Sequence, residues 1–272
     1  MPHVQSILLE RLRALQGLQG LERLKGVTHF RLLGYDPRGE EPRKGFLWKR
    51  TREELKKGNI SVVLRNVLPR EMKSLPFGRW TQLKEIILTD LPPLMDLISF
   101  ESPLPHLSFV SMRDTSQKKV SVQGLHNLPA LDSLLLELNM DSLNVRGLAS
   151  LHHLSITSPS LNALEGLNTL SALTSLDLEK GSFARLEVPL LPSLSFLSVD
   201  ALESLEVLTL DIGNTSLDTV YLQGLPALEK VIGLESLTHR TELRLQNLRP
   251  SSQLESIVAQ LVSRGIRVRS IN

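Results

Sequence analysis

Cysteine is absent from the 272 residues, which excludes disulfide scaffolds, thiol catalysis, Cys-ligated zinc and iron–sulfur clusters. Aromatic residues are scarce: seven Phe, two Tyr and two Trp make up 4% of the chain, so rings cannot build the core. No apolar run approaches the roughly 18 to 20 residues that span a bilayer. The opening MPHVQSILLERLRALQG carries charges where a secretory signal needs an uninterrupted apolar region. These absences point to a cytoplasmic setting. Disorder is excluded by a 41% hydrophobic content, and that fraction is dominated by one residue type, with 59 leucines.

The net charge of +2 conceals a polarised chain. Residues 1–80 carry 17 Lys and Arg against 8 Asp and Glu, and residues 81–272 carry 14 against 21. The basic half peaks at Arg43, Lys44, Lys49, Arg50 and Arg52, a candidate anion-binding set. Only Phe46 and Trp48 are interleaved with these charges, and no nucleic-acid motif surrounds them. The blander reading is a solvated helix face and loop.

Leucine recurs with a fixed step. Leu167-x-x-Leu170-x-x-Leu173-x-x-Leu176-x-Leu178 is repeated by Leu125-x-x-Leu128-x-x-Leu131-x-x-Leu134-x-Leu136 and by Val188-x-x-Leu191-x-x-Leu194-x-x-Leu197-x-Val199. Shorter copies end at Leu83-x-x-Ile86-x-Leu88, Leu107-x-x-Val110-x-Met112, Leu151-x-x-Leu154-x-Ile156, Leu217-x-x-Val220-x-Leu222 and Arg240-x-x-Leu243-x-Leu245. The copies begin 20 to 24 residues apart. The final step of two belongs to a short strand, and the steps of three to a tighter helical or irregular approach. One coil per repeat follows. A single coil cannot bury its own apolar side, so coils must stack with parallel strands about 4.8 Å apart over a leucine column.

In these features the chain resembles the leucine-rich-repeat family, in its irregular 20–24-residue, internalin-like forms, over residues 12–33 and 80–248. The resemblance implies an α/β solenoid with a parallel inner sheet, and a protein-binding role with no cofactor. Two departures are visible. The family's corner Asn, three residues past the last strand leucine, is met once among Leu91, Thr115, Asn139, Pro159, Gly181, Leu202, Leu225 and Leu248. Corners must close by other means. Half-repeats such as Leu205-x-x-Leu208-x-Leu210 and Phe183-x-x-Leu186-x-Val188 predict extended or irregular outer segments instead of helices.

Exposed end coils need covers. Residues 1–26, with Val4, Ile7, Leu8, Leu12 and Leu15 on one face, read as a helical cap. Residues 249–272 read as a helix-strand cap: Ser252-x-x-Glu255 has capping-box form, Leu254, Ile257, Val258, Leu261 and Val262 share a helical face, Gly265 stops the helix, and Ile266–Arg269 alternates as a strand. Residues 34–59 interrupt the repeat as a basic insertion, and Ile60–Leu64 resumes as a strand. The expectation is one repeat domain over residues 1–272.

Catalytic signatures are missing. No HExxH, G-x-S-x-G, Walker A or G-x-G-x-x-G occurs, and the seven histidines have no metal-ligand spacing. His152 and His153 would point to opposite faces of a strand. The chain reads as no enzyme and as holding no metal.

With the paired leucines inward, the alternate residues form outward columns. These place Phe109, His153 and Phe196 in one column, Asp177, Tyr221 and Arg244 in the next, and Arg113, Glu137, Glu179 and Asp200 in the third. Asp177, Glu179 and Asp200 fall within one or two strand spacings, beside Phe196 and Tyr221. Those ten residues are the candidate partner-binding set, suited to a basic, partly apolar protein segment. The competing readings are an ordinary solvated sheet and, from another class, a nucleic-acid or anionic-surface binder using the N-terminal 80 residues.

Overall fold

The L-x-x-L steps ahead of the final approach to each strand are turns of 3₁₀ geometry. Leu128 N–H donates to Leu125 C=O at 3.0 Å and Leu131 N–H to Leu128 C=O at 3.1 Å. The same bonds recur from Leu170 to Leu167 and from Leu173 to Leu170, at 3.0 and 3.1 Å. With three residues per turn, side chains i and i+3 eclipse, so every leucine in the run points to the same side. Pro129, Pro192 and Pro226 stand at the first turn position of such a step, where a fixed φ suits the turn and no N–H is required. Gly233 opens one of these turns at φ +92°, and a Cβ there would lie 2.0 Å from Leu210 O, so the neighbouring coil leaves room only for hydrogen.

The protein is described here from a computed structural model at residues 8–9, 29–32, 62–64, 83–89, 91, 95–114, 116–248 and 252–271. The chain forms two units, residues 1–131 and 132–272. In the first, β1 (Leu8–Leu9), β2 (His29–Leu32), β3 (Val62–Leu64), β4 (Glu85–Thr89) and, after β5 (Leu97–Ser99), β6 (Phe109–Arg113) make a parallel sheet in the order β1-β3-β2-β4-β6. A second pair joins β5 to β7 (Ser121–Gln123).

Two expectations change here. Leu8 and Leu9, assigned to a helical cap, are instead a strand paired in parallel with Val63 and Leu64. Val62–Leu64 does form a strand after the insertion, but it lies between β1 and β2, so the chain order of repeats is not the order of strands. The rest of the residue 1–26 cap and the 34–59 insertion lie outside the described residues.

In the second unit, β8 (Ser133–Glu137), β10 (His153–Thr157), β12 (Ser175–Glu179), β14 (Phe196–Asp200), β16 (Thr219–Leu225), β18 (Glu242–Leu248) and β19 (Arg267–Ile271) form the inner parallel sheet, in that order. The outer segments are extended, as the half-repeats predict. They comprise β9 (Ser142–Asn144) with β11 (Ala163–Glu165), and β13 (Arg185–Val188) with β15 (Val207–Leu210) and β17 (Lys230–Ile232). Between the layers run Leu134, Leu154, Leu176, Leu197, Val220 and Leu243, each at most 1% exposed. Truncating one such leucine to alanine costs about 2–5 kcal/mol.

The corners close without an Asn ladder. At the C-terminal ends of the inner strands the backbone turns left-handed at Lys180, Ala201, Gly224 and Asn247, one per coil, with φ between 50° and 63°. Before the turn the ladder runs one residue further, through Lys180 N–H to Asp200 C=O and Ala201 N–H to Gln223 C=O, both at 3.0 Å. Small buried side chains bridge the coils elsewhere. Ser158 Oγ accepts from Met140 N–H at 2.9 Å and donates to Met140 C=O at 3.1 Å. Asn214 accepts from Leu191 N–H at 2.7 Å and donates to Pro189 C=O at 2.9 Å.

The one α-helix among the described residues, α1 (Ser252–Ser263), precedes β19. Leu261 is its buried anchor, whereas Val262 is 55% exposed, so the apolar face is narrower than expected. Arg264 ties the helix end to the preceding turn by donating to Leu237 C=O at 2.9 Å and to Glu235 C=O. No helix among the described residues is long and apolar enough to cross a membrane.

Candidate partner-binding face of the inner sheet

The pairing register of the second unit reproduces the sequence-derived columns. His153 stands beside Ser175, then Phe196, Thr219 and Glu242. Ser155, Asp177, Ser198, Tyr221 and Arg244 form the next row, and Glu137, Thr157, Glu179, Asp200, Gln223 and Gln246 the third. Alternation along each strand turns these side chains away from the leucine layer. Most are half-buried, because each lies against its neighbours in the row at about the strand spacing of 4.8 Å.

Asp177, Glu179 and Asp200 are brought together as expected. Glu179 is directly opposite Asp200, with Asp177 two residues earlier on the same strand as Glu179. Burial first, and the neighbouring Glu179 carboxylate second, push the Asp200 carboxyl above the ordinary aspartate range, against the pull of its bond to Ala201 N–H. The other two acids are better served. Thr157 Oγ1 donates to Glu179 Oε2 at 3.1 Å, Ser155 Oγ to Asp177 Oδ2 at 3.4 Å, and Lys180 Nζ lies 2.9 Å from Glu179 Oε1. Phe196 is 37% exposed beside them. Tyr221 is half-buried and its hydroxyl is engaged by Gln223 and by Gln246 Oε1, the latter at 3.0 Å.

At the far end of the same face the charge reverses. Arg244 Nε and Arg269 Nε both reach Glu242 Oε1, at 2.8 and 3.0 Å, and Arg267 pairs in register with Glu242. The Arg244 hydrogen bond, with Arg269 and Arg267 adding to it, holds the Glu242 carboxyl below its usual range. Arg267 and Arg269 were not among the expected site residues. Their signal was present in the alternation of Ile266–Arg269, which extends the columns by one strand.

Glu137, His153 and Arg244 are exposed on this face. Phe109 and Arg113 belong to the first unit and are described there. Arg113 is exposed, but Phe109 is only 6% exposed, and Glu85, Ile87 and Ser111 on the same face are buried too. Phe109 is therefore withdrawn as a contact residue: alternation assigns the face of a side chain but does not say whether that face is open. The basic set Arg43, Lys44, Lys49, Arg50 and Arg52 lies outside the described residues. No protein-family model matches the chain, and neither does any curated protein.

Proposed function

We propose that the chain is a non-enzymatic, cytoplasmic interaction scaffold of the leucine-rich-repeat type that docks a protein partner across the inner face of its second unit, in a sensor, adaptor or neutralising role. In this reading the coils form a solenoid covered at its C-terminal end by α1 and β19, and the partner offers a basic, partly apolar segment. The observation that carries it is the registered patch of Asp177, Glu179 and Asp200 beside Phe196 and Tyr221. Like charges held at one strand spacing lower stability, and an incoming cation relieves that cost. Exposed aromatic area next to the charges is what interface anchors are made of. The Arg244, Arg267 and Arg269 end sets the orientation, since it repels a basic segment and accepts an acidic one.

The test is quantitative capture from the native host with the unaltered chain and with the Glu179→Lys, Asp200→Lys double variant at matched thermal stability. Loss of the captured partner in the variant supports the reading. Equal capture by both removes it.

A further inference from the structure

The outer layer of the second unit is broken at one place. Ladders join β9 to β11 and β13 to β15 and β17, yet β11 and β13, which follow one another by a single coil, are not paired. The sequence marks one end of the break. Asp211 N–H donates to Val188 C=O at 2.9 Å to extend the β13–β15 ladder, and the residue that would make the equivalent bond one coil earlier is Pro189, which has no N–H. The two coils are tied on either side of the gap, by Ser182 N–H to Leu161 C=O at 2.8 Å and by Ser193 Oγ to Ser171 C=O at 2.9 Å. Between the ties they flank a cleft of about 650 Å³.

The cleft leaves apolar surface open. Leu164 is half-exposed within it, whereas its counterparts one coil before and after, Leu143 and Leu186, are 2% and 3% exposed. At the Pro189 end an apolar shelf continues on Leu190 and Ile212, which are 50% and 68% exposed. Arg185, Glu187 and Asp211 stand around the opening, two acids to one base.

We propose that this cleft binds an extended peptide segment, which adds as a short strand along the open edge of β13, seats one apolar side chain on Leu164 and carries a basic residue alongside it. An open strand edge presents alternating N–H and C=O groups, and another peptide backbone complements that row. The two carboxylates at the rim disfavour nucleic acid and favour the basic neighbour. This surface is on the outer layer and stands apart from the inner-face reading.

The probe is a terminally blocked, fluorescein-labelled octapeptide, Lys-Thr-Val-Thr-Leu-Thr-Val-Lys, titrated against the full chain by fluorescence anisotropy, with amide hydrogen exchange read in parallel. Binding is expected, with new protection at the amides of Arg185–Val188. Methylating alternate peptide nitrogens, or the substitution Leu164→Glu, is expected to weaken binding by about tenfold or more, the scale of one lost hydrogen bond or apolar anchor. The N-methyl comparison uses the unsubstituted chain, so it decides even if Leu164→Glu misfolds. Equal binding of the methylated peptide, protection confined to the inner strands, or no binding at about 1 mM peptide overturns the proposal.

Discussion

Glu179 and Asp200 face each other in register on β12 and β14, two carboxylates one strand spacing apart on a half-buried face. Only Glu179 is in direct ion-pair contact with a cation, Lys180 at 2.9 Å, which acts on Asp200 as the smallest of several influences. Asp200 is left to carry the cost of burial and of its neighbour's charge, which is why its carboxyl holds its proton to higher pH than an ordinary aspartate.

A group whose folded pKa is raised costs stability as pH climbs from its unfolded value through the folded one, and the cost is fully present above the folded one. Asp200→Asn keeps the oxygen that accepts Ala201 N–H and removes the charge. Its melting temperature should exceed that of the unaltered chain by about 1–3 °C at pH 7, and the two should converge below the ordinary aspartate range. Thermal unfolding followed across pH by circular dichroism checks this; a lower melting temperature at pH 7 contradicts it.

Glu242 shows the opposite sign. Its carboxyl is held low by Arg244 first, with Arg269 and Arg267 adding to the effect, so its contribution to stability is present above the usual glutamate range and is lost as pH falls through its lowered value. NMR titration of the glutamate side-chain carbons should find Glu242 titrating below its ordinary range. The Arg244→Gln, Arg269→Gln double variant should return it upward.

Asn214 is 1% exposed and makes one hydrogen bond with each end of its amide to the preceding coil. Asn214→Ala strands Leu191 N–H and Pro189 C=O, and should lower unfolding free energy by about 2–4 kcal/mol in urea melts. A loss well under 1 kcal/mol would mean that water reaches both groups.

The left-handed corner predicts a reciprocal pair. Ala201, at φ 53°, bears a Cβ in a conformation that costs L-residues about 1–2 kcal/mol, so Ala201→Gly should stabilise by about 1 kcal/mol. Gly224 holds the same corner one coil later at φ 61°, and Gly224→Ala should destabilise by a similar amount or more, because its Cβ would meet Ala201 backbone atoms at 3.3 Å. Equilibrium unfolding of the two variants tests the pair, and the same sign for both would refute it.

Much of the candidate face is legible in the amino-acid sequence. The step from three residues to two marks where a 3₁₀ turn becomes a strand, and strands that restart every 20 to 24 residues have little choice of register, since a slip of one residue would turn every leucine outward. That is why Asp177, Glu179, Asp200, Phe196 and Tyr221 could be placed in rows. The corners were less legible, because a left-handed turn is marked by Gly at 224 but hidden under Lys180, Ala201 and Asn247.

Leucine spacing alone determined the coil, the direction of its strands and the rows of side chains they carry, because burial of one residue type at a fixed step leaves a single way to stack. Tertiary structure decided what a local pattern cannot encode. It set which faces stay open and which are covered, as at Phe109, and the placing of β3 between β1 and β2. It also set the break opposite Pro189, where one missing N–H counts only once the neighbouring coil is in place to miss it. These outcomes depend on contacts between residues distant along the chain, and such contacts exist only in the folded molecule.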